Sequence, residues 1–188
     1  MIEFVTEVAI KIVIRIAMQT LLPIPFAAGH TCHQLEICLC MNMHRPTRPG
    51  QVWARVTALG SYREVGRACH FVTTNESRVM IDVGVNIAND SDPMPYFTAP
   101  EALPMEKMDA VILTHAHLDH AGMLPVLFRY GYRGPVFCTP PTRDMMLLLQ
   151  SDYLKIGGAE GKRAPYDMED IRTCMRHVVD VEWGQTVD

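Results

Sequence analysis

A chain of 188 residues, 48% apolar and 20% charged, is long enough for one packed domain and has a globular rather than a disordered composition. Its net charge of −4 excludes a general basic footprint for nucleic acid, although a local basic face is compatible with that total. Six cysteines, at 32, 38, 40, 69, 138 and 174, follow no disulfide-framework spacing and read as reduced thiols of a cytoplasmic protein.

Residues 1–50 form an atypical N-terminal segment. Val8 to Ile16 alternates apolar residues with Lys11 and Arg15 on one face. The apolar run Leu21–Ala28 is interrupted by Pro23 and Pro25 and flanked by charge, which argues against a membrane-spanning helix. Those prolines, with Glu3 and Glu7 ahead of the basic residues, argue against a cleaved leader as well. His30, Cys32, His33, Cys38 and Cys40 match none of the usual paired zinc-ligand spacings, and Arg45–Gly50 reads as a loop and boundary.

From Gln51 the pattern becomes that of an α/β domain. Strands are expected over 52–59, 67–74 and 78–84, with Asn75-Glu76-Ser77 as a hairpin connection. Cys69, and later Cys138, fall inside apolar strand runs, where a free cysteine behaves as a small hydrophobe. The proline-rich stretch 86–105 is loop, and 109–113 is a buried strand. A helix follows over 118–130, with Pro125 in its first two turns and a stop at Gly131. Residues 136–138 form a short strand. Pro140 opens a second helix to about Tyr153 or Ile156, with Met145, Leu148, Leu149 and Asp152 setting its faces and Gly157-Gly158 stopping it. Pro165 starts a further helical stretch, whose Asp167, Glu169 and Asp170 suit a helix N-terminus. His177–Val181 is a last strand.

The chemistry concentrates in Thr114-His115-Ala116-His117-Leu118-Asp119-His120-Ala121-Gly122, just after the apolar strand. If the extended geometry continues past Thr114, His115 and His117 project to one side and can share an ion, while Asp119 and His120 address a second. Imidazole and carboxylate donors suit zinc without excluding manganese or iron. The bland alternative is scattered surface histidines with Asp119 capping the next helix. Asp82 ends a buried apolar run, where an unpaired carboxylate would be costly, so it reads either as a turn residue or as a group orienting the histidine loop. Two metals need about seven or eight ligand positions, and only His115, His117, Asp119 and His120 are visible. His70 and His177 sit in strand patterns and His30, His33 and His44 in the unrelated segment, so none of these five completes the set.

The block His115-Ala-His117-Leu-Asp119-His120-Ala-Gly122, with Asp82 in "MIDVG", resembles the metal motif of the metallo-β-lactamase superfamily. Residues 55–84 and 110–156 resemble, more narrowly, the opening of the archaeal β-CASP RNA-processing nucleases, over about 52–188. The resemblance implies an α/β fold, the first half of an αββα sandwich with a mixed sheet flanked by helices. It implies two zinc ions and internal cleavage of RNA by a metal-activated hydroxide. Carried onto this chain, His115 and His117 would bind one zinc, and Asp119 and His120 the other. Asp119 would also steer the attacking hydroxide, and Asp82 would orient the motif loop. RNA is the implied partner, with a homodimer in the full-length family members and no membrane. Ser61 and Val83 stand where relatives often have Gly and Cys. The family's remaining ligands and its β-CASP domain would lie beyond Asp188, so residues 51–188 read as the N-terminal part of a truncated domain, weak or inactive alone. A small-molecule thioester hydrolase and a non-catalytic remnant are the alternatives; Ala121 and the long 124–156 match count against the former.

Overall fold

The computed structural model describes residues 53–187 apart from positions 63, 90 and 163; the expectations for residues 1–50 lie outside the described residues. Among the described residues, six strands form one mixed sheet in sequential order. They are β1 (Ala54–Ala58), β2 (His70–Thr74), β3 (Arg78–Ile81), β4 (Ala110–Ile112), β5 (Val136–Cys138) and β6 (Val178–Asp180). The first three pair antiparallel, β1 and β2 across the loop 59–69 and β2 and β3 across the short turn 75–77, and β3 to β6 run parallel. Parallel neighbours need crossovers, and the crossovers carry the helices. These are α1 (Leu118–Ala121), α2 (Leu124–Arg129), α3 (Pro140–Ala159) and α4 (Met168–Arg176). The α/β class and mixed sheet agree with the sequence reading.

The apolar strand runs become core because both faces of β3 and β4 are covered. Met80, Val111 and Leu113 pack with Phe71, Met123, Leu124, Leu127, Tyr132 and Ile171. Cys69, Cys138 and Cys174 are free and buried; burial pushes the Cys138 thiol up to about 12 and raises the other two, so all three are inert hydrophobes. At the sheet edge β1 turns Ala54, Val56 and Ala58 outward, and Val179, Trp183 and Val187 are exposed near the other edge. Such uncovered apolar surface favours association.

Three helical expectations need correction. The single helix over 118–130 is two helices, because Val83 pairs into its middle: its N–H donates to His120 O (2.6 Å) and its carbonyl accepts from Met123 N–H (2.8 Å). Gly131, at φ +96°, stops α2 as expected. Gly157-Gly158 does not stop α3, which continues to Ala159. The stop is Gly161 at φ +70°, where the N–H groups of Gly161 and Lys162 close back on the carbonyls of Gly158 and Gly157. Finally, the buried face of α3 is Thr142, Met146 and Gln150, whereas Met145 and Leu148 are exposed. Polar and apolar residues are both spread around that helix, so periodicity could not choose its inner face. The last helix begins at Met168, with Asp167 as its N-cap and Asp170 completing a capping box.

Candidate metal centre

The parallel strands β3 and β4 end side by side, with Asp82 N–H donating to Ile112 O at 2.9 Å, so the segments that follow them share one end of the sheet. Asp82 then adopts φ +59°, a left-handed conformation that aspartate tolerates better than most residues. This turns a carboxylate that is only 3% exposed towards the histidine loop. Its Oδ1 accepts from Thr114 N–H at 2.8 Å, and the Thr114 hydroxyl donates to the same carboxylate, 2.8 Å from Oδ2. An ionised carboxylate can only accept, so His120 Nδ1 at 2.9 Å carries the proton and His120 Nε2 is left free as a ligand. The Thr114 hydroxyl, its own proton given to Asp82, accepts from His115 Nδ1 at 3.0 Å, which frees His115 Nε2 in the same way. One buried carboxylate therefore sets the tautomers of two imidazoles, directly for His120 and through Thr114 for His115.

His115, Asp119 and His120 each offer a ligand atom, all within 4.8 Å of one another. His120 Nε2 and Asp119 Oδ2 are 3.6 Å apart, against about 3.4 Å between two donors on a tetrahedral zinc with 2.0–2.1 Å bonds. The donor set and spacing fit a divalent cation. The His115 ring lies 4.0 Å from that of His120 and 4.9 Å from that of His117, centroid to centroid. His117 is exposed beside the cluster, at the N-cap of α1. The strand ends at Ile112, and it is the turn into α1, rather than continued alternation, that gathers the cluster.

Electrostatics separate the two imidazoles. Burial alone would lower His120, but the hydrogen bond and charge of Asp82, with the charge of Asp119, outweigh it and raise its pKa. His115 is lowered, first by burial and then by the neighbouring His120. His70, at the head of β2, packs edge-on against Tyr62 and is lowered by burial, with the charges of Asp82 and His120 also acting on it. His177 packs its ring on Phe128 at 5.0 Å.

Backbone placement is as specific as the side chains. A four-residue helix leaves most of its carbonyls without helical partners; in α1 Leu118 O alone of the four receives one, from Gly122 N–H at 2.8 Å. Here the carbonyl of Leu118 accepts from Val85 N–H, that of Asp119 from Ala68 N–H, and that of His120 from Val83 N–H. The carbonyl of Ala121 accepts from the Gln150 side-chain amide. Ala68 is held in turn by Gly84 N–H on its own carbonyl and by the buried Arg67 beside it. Arg67 donates to Glu64, Asp92, Met94 O and Tyr96 Oη. Sequence reasoning missed Thr114, Ala68 and Gln150. Only Thr114 carried a signal, as the residue between the buried strand and the first histidine.

A mixed sheet whose strand ends set a His-x-His-x-Asp-His turn against a buried aspartate defines a metallo-hydrolase type of centre. The chain belongs to the metallo-beta-lactamase superfamily, whose domain profile matches residues 71–188. It is similar to the transcription termination factor FttA of Methanocaldococcus jannaschii, 55% identical over 139 residues that cover 74% of this chain and 22% of that protein. It is also similar to the transcription termination factor FttA of Methanosarcina mazei, 48% identical over 147 residues, 78% of this chain and 23% of the relative. The chain thus spans less than a quarter of the length of either relative. Among solved structures, the Rm3 metallo-beta-lactamase superposes in part, with TM-score 0.35 and 24% identity over 47% of this chain and 30% of that one. The archaeal resemblance read from the sequence agrees with these relatives.

Proposed function

We propose that this chain carries part of a two-zinc centre that hydrolyses RNA phosphodiesters internally. The observation that carries the metal reading is the shared orienting carboxylate: Asp82 leaves two imidazole Nε2 atoms free beside the Asp119 carboxylate. Zinc is assigned from the nitrogen and carboxylate donors. The division of ligands, His115 and His117 on one ion and Asp119 and His120 on the other, is taken from the family resemblance, while the ligand atoms gathered within 4.8 Å are those of His115, Asp119 and His120. RNA is assigned because the relatives bear the name of transcription termination factors, and termination is an event of RNA synthesis.

Bound zinc would supply a water of lowered pKa and polarisation of a phosphoryl oxygen. The chain's own residues do the rest. Asp119, half-buried with its carboxylate at the rim of the cluster, orients the attacking water by accepting its hydrogen bond. Asp82 keeps His115 and His120 in the ligating tautomers. Four candidate ligands among the described residues are fewer than two tetrahedral ions require, so the expected outcome for the 188-residue chain alone is slow cleavage and fewer than two metal ions per chain.

The test is metal content per purified chain together with cleavage of an end-labelled single-stranded RNA and of a small thioester. Expected is metal-dependent RNA cleavage, slow, abolished by chelator and by Asp119→Ala. Failure to take up any divalent metal, or hydrolysis of the thioester without cleavage of RNA, overturns the reading.

A further inference from the structure

Pro125 occupies the first turn of α2 and has no N–H, so the carbonyl of Ala121, four residues earlier, cannot receive the helical hydrogen bond that would ordinarily come to it. The side chain of Gln150 fills that place. It reaches from α3, fully buried, and its Nε2 donates to Ala121 O at 2.8 Å. Its Oε1 is buried with no hydrogen-bond partner. A methionine or leucine would fill the same space without burying an unpaired oxygen, so it is the donor, not the volume, that glutamine contributes. Ala121 follows directly after His120, and its carbonyl is the last of the four that hold the ligand-bearing turn from outside. The other three are held by backbone N–H groups, which most substitutions leave in place; this one depends on a side chain.

We propose that Gln150 is a positioning residue for the metal centre, supplying from α3 the hydrogen bond that Pro125 denies to Ala121 and so fixing the turn that presents Asp119 and His120. The proposal rests on the metal reading of the cluster. It also makes Pro125 and Gln150 a matched pair. Replacing Pro125 with alanine returns the one backbone N–H that lies four residues on from Ala121, and the proposal requires that this lessen the need for Gln150.

The experiment compares the chain with Gln150→Met, Pro125→Ala and the double variant. Two readouts are taken: cobalt(II) affinity from its visible absorption, and amide exchange of residues 120–123 without metal. For Gln150→Met the expected cobalt affinity is lower by tenfold or more, the scale on which groups behind metal ligands act. Exchange rises selectively across 120–123. Pro125→Ala alone binds as the unsubstituted chain does, and the double variant recovers to within about threefold on the same scale. Recovery in the double variant separates positioning from general stability, which a buried proline-to-alanine change would not restore. Unchanged affinity in Gln150→Met, a loss not recovered in the double variant, or exchange that rises uniformly along the chain overturns the proposal. Should the unsubstituted chain take up no cobalt, the metal reading fails, and the exchange pattern alone decides whether Gln150 holds the turn.

Discussion

The carbonyl oxygen of Asp119 lies 1.7 Å from where a β-carbon on Gly84 would stand. The two segments meet backbone to backbone, which is how Val83 and Val85 N–H groups reach the carbonyls of His120 and Leu118. No rotamer change relieves such a contact, since the atom met is main chain. Gly84→Ala is therefore expected to cost about 3 kcal/mol or more. Its urea midpoint should fall sharply, and a midpoint near that of the unsubstituted chain would show that the two segments can separate freely.

Asp82 acts purely as an acceptor, and a side chain that also donates cannot take over that role. An asparagine at this position would keep the size and tolerate φ +59°, but its amide group meets His120 Nδ1 as a second donor or forces the proton to Nε2. Asp82→Asn should hence fold and yet bind zinc about ten- to a hundredfold more weakly. Calorimetric zinc titration beside a thermal melt checks it; equal zinc affinity would remove Asp82 from the orienting role.

Arg67 is buried at 5% exposure and ties Glu64 and Asp92 to the loop that carries Ala68. Its hydrogen bonds to those carboxylates hold its pKa above the ordinary arginine value. A lysine cannot reproduce this fork of donors, nor the stacking of the guanidinium on Tyr96 at 4.6 Å. Arg67→Met should lose about 2–3 kcal/mol in chemical denaturation, and Arg67→Lys should recover less than half of it. Full recovery by lysine would show that charge alone matters there.

Asp167 caps α4, and the N–H groups of Asp170 and Glu169, followed by Arg129, hold its carboxyl below the ordinary value of 3.8. A folded-state pKa that is depressed contributes stability above the unfolded value, lost as the pH falls through the folded one. Comparing melts of the chain and Asp167→Asn, which caps without titrating, should show a difference near neutrality that closes below pH 3.8. The effect is small because the site is exposed, and it should shrink further in salt. A pH-independent difference would sink it.

Much of this was legible in the chain itself. Six short strands, the acidic start of α4 and the stop at Gly131 follow from local period and backbone chemistry, which neighbouring residues determine among themselves. The candidate ligands His115, His117, Asp119 and His120 could be named because they fall within six positions after a buried strand, and Asp82 because it is a carboxylate ending a buried apolar run. What only the tertiary structure decided is how the turn is held. Val83 opens the helix after His120, Thr114 links His115 to Asp82, and Ala68, Val83, Val85 and Gln150 each take one carbonyl. These partners come from up to 51 positions away (Ala68 to Asp119) and mostly through their backbone N–H, which every residue but proline carries. A group common to all residues leaves no mark in a sequence, so its use appears only once the strands lie side by side.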